Sequence, residues 1–195
     1  MIKDQAESYF GDLASLAENA VTTDGQGNTH SLFAGVERTC DLLREVAMGG
    51  NKAIFVGNGA SSSIASHQAL DFWKRGGIRA VAFNDHALLT AVSNDLGYEW
   101  VFAKPIEMFA ERGDVLIAIS SSGNSRNILN AVDMAKEKSL LVVSLSGMSE
   151  ENRLRGGGCI NFYVPDQRYG HVEIVHLSIL HCIIDLYIHN YARSD

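Results

Sequence analysis

A chain of 195 residues, 46% hydrophobic and 20% charged, is composed like a globular protein and can bury the core of one α/β domain; intrinsic disorder is excluded and two independent domains would be cramped. The formal net charge of −7, with lysines and arginines scattered along the chain, disfavours nucleic acid or a membrane surface as a partner, so an anionic ligand has to be held by local groups. No apolar run reads as long enough to span a bilayer, and the opening MIKDQAESYF lacks the basic and apolar regions of a signal peptide, so a cytoplasmic protein is expected.

Two helical segments open the chain, an N-terminal helical extension of about 50 residues to a single domain covering 1–195. In the second, Ser31 is the expected cap, and Phe33, Val36, Cys40, Leu43 and Val46 recur at helical spacing until Gly49-Gly50 ends the run. The apolar run Ala53–Val56 opens into Gly57-Asn58-Gly59-Ala60-Ser61-Ser62-Ser63 and a helix through Arg75. Ala80–Phe83 reads as a strand, followed by helical material around 87–94 and 100–112. Val115–Ile119 is a buried strand leading into Ser120-Ser121-Ser122-Gly123-Asn124-Ser125 and a helix to about Lys138. Leu140–Leu145 and Cys159–Val164 complete five strands, and a last helix runs from about Gly170 to Tyr191. Continuous apolar strands alternating with helices predict a parallel five-stranded sheet covered on both faces, a three-layer αβα sandwich. Cys40, Cys159 and Cys182 are widely spaced, without a CxxC, and are expected as buried free thiols in a reducing compartment.

In such a sheet ligands bind outside the carboxyl ends of the strands. Two strand ends here carry Gly/Ser/Asn loops that lead into helices. Glycine permits close backbone approach, and serine hydroxyls together with the orphan amides of a helix start donate to an anion. The loop SSSGNS supplies four hydroxyls without a formal charge, which suits a phosphate monoester. Either loop alone reads more simply as capping and turn chemistry; two on successive strand ends favour a ligand. Neither matches the P-loop or the dinucleotide fingerprint, which disfavours nucleotide hydrolysis and dinucleotide binding.

IFVGNGASSSIASH, LLTAVSNDLGYEWVFAKPIE and GDVLIAISSSGNSRNIL resemble the SIS-domain phosphoheptose isomerases, which convert sedoheptulose 7-phosphate to a heptose 7-phosphate, and the resemblance runs through nearly the whole chain. It implies the SIS fold, of flavodoxin-like layout, and a homotetramer with active sites shared between subunits. It also implies substrate contacts from Asn58, Gly59, Ala60, Ser61, Asn94, Asp95, Ser120, Ser121, Ser122 and Ser125, with Arg75 matching a family arginine. The family's metal set falls on His67, Asp71, Glu173 and His181, with zinc the expected ion and Asp71, His181 and Glu173 the catalytic groups. The chain departs from the family at Ala60 (a glycine there), Ile64 and Gly170 (aspartates), Asp71 (a glutamate) and Glu173 (a glutamine).

Spacing is compatible with that set. His67 and Asp71 are four residues apart and share a helix face, and Glu173 and His181 are eight apart, about two turns, with Leu177 between them. Asp185, four beyond His181, competes as its partner, and His171, His176 and His189 are assigned to surface or subunit contacts. Aldose–ketose isomerisation needs a base, an acid and an oxyanion stabiliser; by resemblance Asp71 is the base and His181 the proton donor. The rival reading is a non-catalytic SIS protein, either a DnaA-binding regulator of replication initiation or a sugar-phosphate sensor.

Overall fold

The computed structural model describes residues 1–191. Helix α1 (Ile2–Asn19) precedes a hairpin, β1 (Val21–Asp24) and β2 (Thr29–Ser31), and α2 (Leu32–Met48) follows. Then come β3 (Lys52–Gly57), α3 (Ala60–Lys74), β4 (Arg79–Ala82), α4 (His86–Leu96), a 3-10 turn at Tyr98–Trp100 and α5 (Ala103–Phe109). The chain closes with β5 (Val115–Ser120), α6 (Arg126–Glu137), β6 (Leu141–Gly147), β7 (Ile160–Val164) and α7 (Tyr169–Tyr191).

The sheet has seven strands in the order β2-β1-β7-β6-β5-β3-β4. The five expected strands pair in parallel, while β1 runs antiparallel to β7 and β2 antiparallel to β1. The sheet is therefore mixed, and the segment expected to be purely helical adds two strands to its edge. The hairpin turn is built on Asp24, whose carboxylate accepts from the backbone N–H groups of Gln26 and Asn28. The sequence signal was TTDGQGNTH, β-branched residues around an Asp-Gly turn.

Successive side chains of β3 split between two cores. Ala53 and Phe55 face α2, α3 and α7, and Ile54 and Val56 face α5 and α6, as a strand covered on both faces requires. Ser31 caps α2 as expected, its hydroxyl accepting from the Ala34 N–H. Helix α1 has no buried residue and rests on the first core through Leu13 and Leu16. By length and composition α7 is apolar enough to cross a membrane, contrary to the sequence expectation. Val172, Val175, Ile179, Leu180, Ile183 and Ile184 are buried in the first core while Ile174 and Leu186 are exposed, so α7 packs as a core helix of this fold.

Two histidines of α7 correct the assignment to surface or subunit contacts: His171 and His176 are fully buried, and only His189 is exposed. His171 Nδ1 lies 3.2 Å from Asp166 Oδ2, and His176 Nε2 donates to the Ser146 carbonyl at 3.0 Å. Burial pushes the His176 imidazole down to about 4, the Ser146 bond offsetting only part of the shift. The unfolded chain takes up that proton near pH 6.5, the folded one only near 4, so this contribution to stability is present above pH 6.5 and is lost as pH falls towards 4. The loss should be about 3 kcal/mol. Urea titrations should show a His176→Gln variant losing stability less steeply than the parent over that window; parallel slopes would contradict the assignment. Of the cysteines, all free, Cys40 is buried, but Cys159 is only partly covered and Cys182 is exposed.

Candidate active site

The two Gly/Ser loops meet at the carboxyl ends of the neighbouring strands β3 and β5. Together they line a pocket of about 260 Å³ bounded by Asn58, Gly59, Ala60, Ser61, Ser120, Ser121, Ser122 and Ser125, with Tyr169 and Glu173 from the start of α7. Gly59 enters α3 with φ 55, a backbone conformation that glycine adopts without strain. Neither helix start is capped by its own side chain: Gly59 has none to offer, and Ser125 makes no capping bond to α6. Ser120 and Ser122 do accept turn bonds from the Gly123 and Asn124 N–H groups, but no cap bond from the residue before either helix occupies the first amides, which remain available beside the hydroxyls.

Within the serine loop, the Ser120 hydroxyl donates to Ser125 Oγ at 3.3 Å and accepts from the Gly123 N–H at 3.2 Å. Ser121 Oγ is buried without a partner among the described residues, a donor that a phosphate oxygen would satisfy. Among the described residues, no lysine or arginine lines the pocket. Burial raises the Glu173 carboxyl above its usual range, which eases its coexistence with an anion.

A second cluster lies between α3 and α7. His67, Asp71 and His181 bring one ligand atom each to within 4.8 Å of one another. Asp71 Oδ2 stands 3.6 Å from His67 Nε2, 3.7 Å from His181 Nδ1 and 3.5 Å from an Arg75 nitrogen. Two imidazoles and a carboxylate at these separations are too far apart for good hydrogen bonds and suit a small ion among them. Asp185 does not compete for His181, because it pairs with Arg75 at 2.7 Å.

Glu173 is absent from this cluster, so one chain does not gather the expected quartet around a point. Residues eight apart share a helix face yet are separated by about 12 Å along the axis, several times a metal–ligand bond. The other expected substrate residues also lie off the pocket of their own chain. Arg75 is held between Asp71 and Asp185. Asn94 and Asp95, bonded to each other at 2.8 Å, sit exposed on α4, where Asn94 lines a separate shallow depression with Tyr98. Tyr169 is the pocket residue that sequence reasoning missed; its signal was its place beside Gly170 at the start of the last helix.

The family description "SIS domain" matches residues 18–147. The phosphoheptose isomerase of Helicobacter hepaticus is 33% identical over 162 residues, covering 80% of this chain and 82% of its own. That of Yersinia pestis is 32% identical over 192 residues, covering 95% and 96%. Among solved structures, the phosphoheptose isomerase of Neisseria gonorrhoeae superposes with a TM-score of 0.84 at 27% identity, covering 96% of this chain and 99% of that one. The departures at Asp71 and Glu173 leave the framework of both loops and of the last helix in place. The chain belongs to the SIS-domain family and, within it, to the phosphoheptose isomerases.

Proposed function

We propose that this protein isomerises sedoheptulose 7-phosphate to D-glycero-D-manno-heptose 7-phosphate through an enediol, in the cytoplasm, as a homotetramer. The observation that carries the reading is the pocket of paired serine hydroxyls and uncapped helix starts, with the buried Ser121 Oγ unpartnered among the described residues. His67, Asp71 and His181 would hold the divalent ion, zinc by their donor types, and that ion supplies Lewis-acid stabilisation of the oxyanion. Asp71 directs Oδ2 at His67, His181 and Arg75, which leaves Oδ1 to take the C1 proton. His181 then gives a proton to the carbonyl oxygen at C2 and regains one from the C1 hydroxyl as Asp71 returns its proton to C2, so the enediol closes to the aldose, and Glu173, at the pocket, binds the sugar hydroxyls. The regulator and sensor readings leave this acid–histidine set without a use, and no observation favours them.

The separation of the two clusters supports shared sites. Asp71 lies ten residues along α3 from Ser61, about 15 Å of helix. An extended heptulose phosphate reaches only roughly 10 Å from phosphorus to C1, given carbon–carbon bonds of about 1.5 Å. A phosphate in the serine pocket would then leave C1 short of the trio of its own chain, which supports a site completed by a second copy. The exposed α1 residues Ile2 and Phe10 and the α2 residues Phe33 and Met48 offer apolar surface for that assembly. Light scattering should give a tetramer at micromolar concentration. Mixing inactive Ser122→Ala/Ser125→Ala protein with inactive His181→Ala protein, then dissociating and reassembling them, should restore part of the activity; no recovery would place the whole site in one chain.

Changing Ser120, Ser122 or Ser125 to alanine should weaken sugar-phosphate binding by roughly 1.5–3 kcal/mol each, the worth of a hydrogen bond to a charged group. Calorimetry that finds all three affinities unchanged would move the phosphate elsewhere.

A further inference from the structure

The segment SNDLGYE helped to mark the family, yet its Tyr98 lies outside the serine pocket and has no place in the chemistry above. Its hydroxyl donates to Asn58 Oδ1 at 2.9 Å. The same oxygen accepts from Asn127 Nδ2 at 2.9 Å, and Asn58 Nδ2 donates in return to Asn127 Oδ1 at 2.9 Å. The orientation of this amide pair is fixed from the backbone: the Ile128 N–H donates to Asn127 Oδ1 at 3.0 Å, which forces Nδ2 of Asn127, and hence Oδ1 of Asn58, into their places. Asn127 is 3% exposed, in the first turn of α6. One turn later on that helix, Asn130 Nδ2 donates to the Glu99 carbonyl at 3.0 Å. The 3-10 turn is thereby tied to that helix directly at Glu99, and at Tyr98 through Asn58.

We propose that Asn127 and Tyr98 are positioning residues of the phosphate pocket. They act through Asn58, locking the glycine loop after β3 to the serine loop after β5 so that both sets of donors converge on one phosphate. This inference rests on the phosphate reading of the pocket. It also changes the part expected of Asn58. Its side-chain carbonyl accepts two bonds and its amide gives one, so its side chain serves as the bolt between the loops, and the loop's backbone groups face the ligand. Free of that bolt, each loop would have to be ordered by the substrate itself, and the loss would appear in binding before it appeared in the chemical step.

The test is a double-mutant cycle read on sedoheptulose 7-phosphate. Tyr98→Phe keeps the ring and removes one exposed hydrogen bond, so the melting temperature should hold while KM rises about fivefold and kcat stays within about twofold. Asn58→Ala should raise KM further, and in that background Tyr98→Phe should add nothing, because its target is gone. Asn127→Asp keeps the acceptor for the Ile128 N–H but loses the donor to Asn58, and it should raise KM more than Tyr98→Phe does. Equal and independent effects of Tyr98→Phe with and without Asn58, or an unchanged KM in both the Tyr98 and Asn127 variants of a wild-type protein that binds its substrate, would overturn the inference alone. Wild-type protein that binds neither sedoheptulose 7-phosphate nor inorganic phosphate would sink the phosphate reading and this inference with it.

Discussion

His181→Ala should remove both bound metal and turnover, with kcat falling about a thousandfold, while affinity for a sugar phosphate stays close to that of the parent. The separation of effects follows from placement. His181 faces Asp71 and His67 between α3 and α7, and the serine pocket proposed for the phosphate lies at the carboxyl ends of β3 and β5. Asp71→Asn keeps the shape and removes the base, so it should match the loss in turnover with little change in binding. Asp71→Glu adds about 1.5 Å of reach and should preserve or raise activity. Metal analysis of the purified protein should return about one zinc per chain, and none in His181→Ala. Full turnover in His181→Ala would remove this trio from the chemistry.

Gly57→Ala should damage the pocket without removing any of its hydrogen-bonding side chains. A β-carbon there would stand 2.5 Å from the Ser61 carbonyl oxygen and 2.6 Å from its carbonyl carbon. Both are backbone atoms of the first turn of α3, so a rotamer change cannot relieve the contact. The helix start has to move away from the end of β3, at a cost of about 1–3 kcal/mol of stability, and Ala60 and Ser61 move with it. Affinity for sugar phosphate should drop by about a hundredfold, since displacements near 1 Å carry effects of that size. A Gly57→Ala protein that melts and binds like the parent would show that the close packing of α3 on β3 does not set the pocket.

The parallel part of the sheet was legible because each central strand is a short, continuous apolar run followed at once by a Gly/Ser turn and a helix. The hairpin was not, because its strands are only four and three residues long and half polar, below the length at which alternation is readable. The buried state of His171 and His176 was hidden for a related reason: α7 is apolar nearly all round, so its sequence does not tell which histidines face the sheet. That both loops would meet at one pocket was legible from residue type and position alone. The spacing of Glu173 and His181 identified a shared helix face but not the distance along it, and that distance separates the serine pocket from the trio. Asn127 escaped notice because an asparagine in the first turn of a helix reads as local capping, and only the structure shows that it reaches the other loop.

The isomerase assignment can be tested by incubating the zinc-supplemented protein with sedoheptulose 7-phosphate in D2O and following the sugar by NMR. The expected result is an aldose 7-phosphate carrying solvent deuterium at C2, because the proton taken from C1 exchanges on the base before it is returned to the enediol. His181→Ala protein should give neither product nor label. Recovery of the ketose unchanged, with its C1 protons undiluted by deuterium, would contradict the assignment.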